Sequence, residues 1–237
     1  MESQKKYKRT FSFEFFPPKT TDGISKLEAT SQLLAELKPR FFSVTFGAGG
    51  STRDRTYETI IDIREKSGID AAPHLSCISS TRENIGQMLA GYIDAGINRI
   101  VALRGDMPSG MVEAGEFRHA NELVEFIRRD TGDHFHIEVA AYPEFHPQAS
   151  SPTRDLANFK RKVDAGANGA ITQYFYNPHA YYDFMDRVTA AGITIPIYPG
   201  IMPISSLEGI LRFSAKCGAD VPRWIQQRLA SYADDEA

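Results

Sequence analysis

One carboxylate in a run of aromatic residues, Glu14 within Phe11–Lys19 (F-S-F-E-F-F-P-P-K), is well placed in this sequence to move a proton. Strand side chains alternate between faces, so Phe11, Phe13 and Phe15 point one way and Ser12, Glu14 and Phe16 the other. Pro17 and Pro18 lack the N–H that a ladder needs and close the strand. Glu14 is therefore delivered just before the strand ends. An ionised carboxylate is costly to bury unless it is paired or takes up a proton. The density of phenylalanine predicts a buried Glu14; the alternative is an edge strand with Glu14 in water.

Other polar groups fall at the ends of apolar runs. Ser43 and Thr45 share a face ahead of Gly47–Gly50 (G-A-G-G), which is no Walker loop because no Gly-Lys-Ser/Thr follows. His74 and Ser76 share another face. The run L-R-G-D places Arg104 and Asp106 two apart, as an ion pair or as two site groups. The run A-A-Y-P-E-F-H-P offers Tyr142, Glu144 and His146, and Gln173 stands among apolar neighbours. His134 and His136 share a face without an evident third ligand, so no metal site is expected. Cys77 reads as a buried, inert thiol.

Strand-like runs must carry these groups, at Phe11–Phe16, Phe41–Phe46, Ala71–Cys77, Arg99–Gly105, His136–Tyr142, Gly169–Phe175 and Ile195–Tyr198. Helical patterns lie between them, near Ile24–Leu37, Arg53–Lys66, Arg82–Ala95, Asn121–Arg129, Thr153–Ala165, His179–Ala190 and Leu207–Lys216. Gly68, Gly96, Gly132, Gly166, Gly192 and Gly218 sit where helices end. The alternation predicts an α/β fold, a TIM (β/α)8 barrel, with an open doubly wound sheet as the alternative. In such barrels chemistry collects at the C-terminal strand ends, where the polar groups above fall. Only seven strand–helix units are evident. After Gly218, residues Asp220–Ala237 read as one short helix, Pro222–Tyr232, and an acidic end, so the eighth unit is missing or outside this chain.

The chain has 237 residues, 42% of them hydrophobic, enough for one large domain. A net charge of −3 implies no general attraction to nucleic acid or an anionic membrane. No run approaches the ~20 apolar residues of a membrane span. No secretory h-region follows the basic run Lys5–Arg9, and two cysteines are too few for a disulfide framework, which fits a cytoplasmic location.

The sequence resembles the methylenetetrahydrofolate reductase family. The segments that carry the resemblance are Phe13–Lys19, Val44–Thr56, Ala102–Asp106, Ala140–Pro147, Asn158–Ala167, Ala170–Gln173 and Pro199–Ile204, in family order across nearly the whole chain. The resemblance implies a bacterial-type catalytic domain over 1–237 without a regulatory domain, and an oligomer of identical chains. It implies FAD as cofactor, and ping-pong reduction of 5,10-methylenetetrahydrofolate to 5-methyltetrahydrofolate by NADH or NADPH, feeding methionine synthesis. By family position, Thr45, Phe46, Ala48, His74, Arg104, Gly105, Asp106, Ala120, Tyr142, His146, Ala149, Asp155, Asn158, Arg161 and Lys162 contact FAD. Read without the family, Asp155, Arg161 and Lys162 form a solvated helix face. Glu14 matches the general acid, and Glu14, Thr45, Asp106, Gln173 and Phe213 match folate positions. Asp106 would also stabilise a cationic folate iminium. The sequence departs from the family in lacking a Y-T-L-N-R segment and in carrying Gly209 and His119 where some relatives have glutamine and tyrosine. Two rival readings are a proline-dehydrogenase-like flavin barrel and a non-catalytic flavin- or folate-binding subunit.

Overall fold

A computed structural model describes residues 2–46, 50–106 and 115–232, without the side chains of residues 2 and 50–54. The strands are β1 (Phe13–Phe15), β2 (Phe42–Val44), β3 (Ala71–Ser76), β4 (Arg99–Leu103), β5 (His136–Ala141), β6 (Gly169–Tyr174) and β7 (Ile197–Gly200). The helices are α1 (Thr21–Ala35), α2 (Gly50–Ser67), α3 (Arg82–Asp94), α4 (Ala120–Thr131), α5 (Pro152–Asp164), α6 (Pro178–Ala190), α7 (Leu207–Cys217) and α8 (Arg223–Ala230). Each strand is followed by a helix, the repeat of a (β/α)8 barrel, and seven strands lie among the described residues.

The chain forms two compact units. One comprises Lys8–Val139 with Asp164–Gly169; the other comprises the N-terminal residues up to Tyr7, Ala140–Val163 and the chain from Ala170 onward.

In the first unit, β1 to β5 are parallel neighbours in chain order, without the reversal that marks a doubly wound sheet. Register puts Glu14 beside Ser43 and Ser43 beside Ala72. His74 lies beside Val101, and Val101 beside Glu138. The opposite strand face carries Phe42, Val44, Leu75, Ile100, Ile137 and Val139, all buried. Helix residues Ile60, Ile63, Ile85, Leu89, Leu123 and Ile127 are buried in the same unit. This is the apolar layer expected between a parallel sheet and its crossover helices.

The helix starts follow their sequence signals. Thr81 Oγ1 accepts from Asn84 N at 3.1 Å and opens α3. Glu122 at the start of α4 accepts from Arg118 N at 2.7 Å. Arg128 near the end of α4 donates to the carbonyls of Gly132, Phe135 and Gly166, and so fixes the approach to β5.

Glu138 is fully buried among the strands of this unit. Its Oε1 accepts from Arg99 at 2.6 Å and lies 3.1 Å from His136 Nε2, while Oε2 has no hydrogen-bond partner among the described residues. The Arg99 guanidinium also lies over the Phe41 ring, 4.7 Å from its centroid. A Cβ at position 169 would come within 2.2 Å of Glu138 Oε2, so β6 opens on glycine.

In the second unit, β6 and β7 pair in parallel. Phe159, Tyr174, Tyr181, Phe184, Met185, Val188 and Ile197 are among its buried apolar residues. The Phe175 and Tyr181 rings stack at 4.9 Å. Asn177 caps α6 ahead of Pro178, and Ser206 Oγ accepts from Gly209 N at 3.0 Å to open α7.

A short 3-10 turn, Glu2–Gln4, is held against the start of β7. The Gln4 side-chain amide donates to Ile195 O at 3.2 Å and accepts from Ile197 N at 2.9 Å. One residue of a parallel strand would make this same pair of bonds. Among the described residues, no helix is long and apolar enough to cross a membrane.

Candidate active site

The strand ends of the first unit gather Glu14, Thr45, Phe46, His74, Arg104, Gly105 and Asp106; Ala120 opens α4 in the same unit. Glu14 Oε2 lies 3.4 Å from His74 Nε2, the glutamate side chain 48% exposed and the histidine side chain 8%. The expectation of a buried Glu14 is therefore corrected. Phe13 and Phe15 turn their rings to the opposite face, against Phe42. Phe16 is exposed, and Phe11, also exposed, meets the Phe13 ring edge to face at 5.8 Å. Burial pushes the His74 imidazole below its ordinary range, against the opposing pull of the Glu14 carboxylate. His74 is thus a neutral ring beside a solvent-reachable carboxylate, with Nε2 outside hydrogen-bond alignment.

Thr45 is fixed through its backbone. Its N–H donates to Phe15 O at 2.9 Å and its carbonyl accepts from Thr56 Oγ1 at 3.1 Å. Past β4, Arg104 O accepts from Ser76 Oγ at 2.9 Å and from Ile78 N at 2.8 Å. Gly105 has φ +83° and no room for a side chain, because a Cβ would fall 1.8 Å from Ser76 Oγ. The next residue, Asp106, is exposed. Burial pushes the Cys77 thiol up to about 12, so it is inert. Ala48 lies outside the described residues.

The second unit carries Tyr142, His146, Ala149, Asp155, Asn158, Arg161, Lys162, Gln173 and Phe213. The loop after β5 is held tightly. Tyr142 and His146 meet edge to face at 4.6 Å. His146 N donates to Asp155 Oδ2 at 3.1 Å, Gln148 N donates to His146 Nδ1 at 3.0 Å, and Ala149 N donates to His146 O at 2.8 Å. The bond into Nδ1 makes Nε2 the protonated nitrogen of a neutral His146.

On α5, Lys162 reaches back to Ala140 O at 2.5 Å, with its ammonium 5.6 Å from the Phe159 ring centroid. Burial lowers the Lys162 ammonium to about 8, while Asp155 raises it. Arg161 is exposed and donates to Asn158 Oδ1 at 2.7 Å. The solvated-face reading of this helix therefore holds for Arg161 and not for Lys162.

Gln173 Oε1 accepts from Tyr174 N at 3.0 Å, which leaves its NH2 as donor. The Phe213 ring, 37% exposed, stacks on Tyr174 at 6.0 Å. The Tyr174 hydroxyl is fixed against Ser214 Oγ at 2.9 Å.

Sequence reasoning passed over two groups: Glu138, whose signal was a lone acid between buried Ile137 and Val139, and Glu144, noted at its strand end without a role. A cleft of about 300 Å³ between α1 and α2 contains none of the residues above. Its Glu28 and Lys66 pair with each other at 2.8 Å. Among the described residues, no cluster of His, Cys, Asp and Glu could hold a metal ion.

Comparison with known proteins shows a match to the family described as methylenetetrahydrofolate reductase over residues 1–237. The chain is 46% identical over 215 residues to a 5,10-methylenetetrahydrofolate reductase of Pectobacterium carotovorum, covering 90% of this chain and 70% of that protein. It is 44% identical over 224 residues to the Escherichia coli protein of the same name, covering 94% of this chain and 74% of that one. Among solved structures, an uncharacterized Clostridium thermocellum protein that binds two copies of 5-methyl-5,6,7,8-tetrahydrofolic acid superposes with a TM-score of 0.64 at 18% identity. That match covers 94% of this chain and 76% of the other.

Proposed function

The chain belongs to the methylenetetrahydrofolate reductase family, and on that premise we propose that it reduces 5,10-methylenetetrahydrofolate to 5-methyltetrahydrofolate with FAD as hydride carrier. The observation that carries this reading is the Glu14–His74 pair, a solvent-reachable carboxylate 3.4 Å from a buried neutral imidazole, set in the family's first strand motif.

The residues present fit a flavin. On the first unit, Gly105 lets the chain pass Ser76, where any Cβ would collide, and turn out to the exposed Asp106. On the second, Lys162, Arg161, Asp155 and Asn158 supply cations and hydrogen-bond groups suited to a pyrophosphate and a ribityl chain. By family position, Thr45, Phe46, His74, Arg104, Asp106 and Ala120 in the first unit and Tyr142, His146 and Ala149 in the second are flavin residues. FAD, when bound, would supply hydride transfer from NADH or NADPH to the folate in a ping-pong sequence.

The protein's own groups do the rest. Glu14 holds the proton that the departing folate nitrogen takes up. His74, 3.4 Å away and neutral, adds no positive charge that would hold Glu14 ionised. Asp106 sets a carboxylate where a cationic folate iminium gains from it. Gln173 offers its NH2 to the folate, and Phe213, braced on Tyr174, gives a flat wall for a planar ring.

The test is uptake of FAD by the purified protein, followed by turnover of methylenetetrahydrofolate with NADH and with NADPH. A colourless protein that takes up no FAD, or takes up only FMN, overturns the reading. Asp106→Asn should slow folate reduction by about 10²–10³-fold, by analogy with loss of one oxyanion-hole donor at roughly 2.7–4 kcal/mol. Unchanged folate turnover in that variant removes Asp106 from the mechanism.

Lys162 gives a pH dependence. Its folded value, about 8, lies below that of an unfolded lysine. The stability it contributes is fully present above the unfolded range, and is lost as pH falls through about 8. Near neutrality the fold therefore carries a desolvated cation suited to an anion. FAD affinity should fall as pH rises through about 8, where that charge disappears. The loss should reach roughly 10- to 100-fold if the charge-assisted bond is worth about 1.5–3 kcal/mol. Flavin fluorescence titrations across that range check this, and Lys162→Met should flatten the profile.

A further inference from the structure

Glu144 lies in the loop between β5 and α5, between Tyr142 and His146, and none of the roles above uses it. Its Oε2 accepts from Asp220 N at 2.8 Å. Asp220 follows the left-handed cap Gly218, at φ +72°, that ends α7. A second contact joins the same two segments. Pro147 packs against Gly218 so closely that a Cβ there would fall 2.4 Å from Pro147 Cγ. Between the two contacts, Phe145 is held in the left-handed region at φ +59°, a conformation that a bulky residue keeps only when its surroundings impose it. Phe145 N closes the turn onto Tyr142 O at 3.3 Å. All of these residues lie in the second unit.

We propose that Glu144 is a positioning residue: its carboxylate clamps the Tyr142–Ala149 loop to the end of α7, so that the flavin-facing loop and the folate-facing Phe213 hold a fixed relation. This rests on the reading of Tyr142, His146 and Phe213 as flavin and folate contacts. The clamp acts through a backbone N–H, so its chemical requirement is an acceptor at this reach and not a negative charge. Burial raises the Glu144 carboxyl above its ordinary range; the Asp220 N–H opposes the shift and the Asp220 carboxylate adds to it. A glutamine, always neutral and of equal length, should serve nearly as well.

The test compares wild type, Glu144→Ala and Glu144→Gln in the full chain. In Glu144→Ala, the amide of Asp220 should exchange with solvent about tenfold faster, because its acceptor is gone. FAD affinity should fall and KM for methylenetetrahydrofolate should rise, each by roughly tenfold, while kcat at saturation changes little. Glu144→Gln should restore all three to within about twofold. A residue that merely supported the fold would instead lower kcat and the thermal midpoint together, with no split between KM and kcat. If Glu144→Ala does not fold, Glu144→Asp, one methylene short of the Asp220 N–H, is read in its place. The proposal is overturned if the alanine variant matches wild type in exchange, FAD affinity and KM, or if glutamine behaves as alanine. A wild-type protein that takes up no FAD would defeat the flavin reading itself, an outcome seen before any variant is compared.

Discussion

On the proposed FAD mechanism, Glu14→Gln is expected to leave reduction of the flavin by a nicotinamide near its normal rate while slowing electron transfer to methylenetetrahydrofolate by about 10²- to 10⁴-fold. The substitution keeps the shape of the side chain and removes its exchangeable proton. Hydride transfer from a nicotinamide asks for no acid at the folate nitrogen, whereas opening of the folate ring does. The local geometry supports a clean separation. Glu14 is held in strand pairing opposite Ser43, and among the described residues its side chain approaches His74 at 3.4 Å. A neutral amide there should not disturb the packing of Phe13 and Phe15 on the other face. Anaerobic stopped-flow traces of flavin absorbance, one series with NADH and one with folate, read the two rates separately. An equal loss in both series, with a lower melting temperature, would assign Glu14 to the fold and take away its role as acid.

Glu138→Ala is expected to cost about 3–5 kcal/mol of stability, because it takes the carboxylate away from a buried guanidinium. The Arg99 side chain is 9% exposed and that of Glu138 0%. The His136 ring shares the Glu138 oxygen, and the Phe41 ring lies under the Arg99 guanidinium. Removal of both charges should be far milder: Arg99→Met with Glu138→Leu loses the attraction and the desolvation penalty together. Urea unfolding of wild type, the single variant and the double variant gives the three values needed. A loss of less than about 1 kcal/mol in Glu138→Ala would show that water reaches Arg99 and that the pair is not a buried one.

The order of elements was legible because period and punctuation agreed. The expected strands and helices fall within a few residues of those observed, and Thr81 and Ser206 cap the starts of α3 and α7. Glu14 shows where such reading went astray. Counting phenylalanines around it suggested burial, but alternation had already sent Phe13 and Phe15 to the far face. The remaining ring on its own face, Phe16, lies past the end of the strand and is 66% exposed. Lys162 was illegible for a different reason. A long side chain can bury its stem and turn its ammonium inward or outward, and helical periodicity does not say which. The Glu138 site depended on register. Arg99 reaches it only because β4 and β5 pair with Arg99 opposite His136, one step along the same face from Glu138.

The Gln4 amide that occupies a strand's place beside β7 has a kinetic meaning. Its two bonds join residues 191 and 193 apart in sequence. Closing so long a loop is entropically expensive and is repaid only once both ends are already ordered, so this contact belongs among the last to form. It opens without disturbing any ladder, since what gives way is the two Gln4 bonds, the Ser3–Thr189 hydroxyl contact and the bond from the Tyr7 hydroxyl to Thr194 O. The start of β7 should therefore exchange its amide protons through a local opening well below the free energy of global unfolding, with Ile197 N–H reporting it. The edge of β7 is thereby covered by a latch rather than a seam, one that another strand could displace without unfolding the rest.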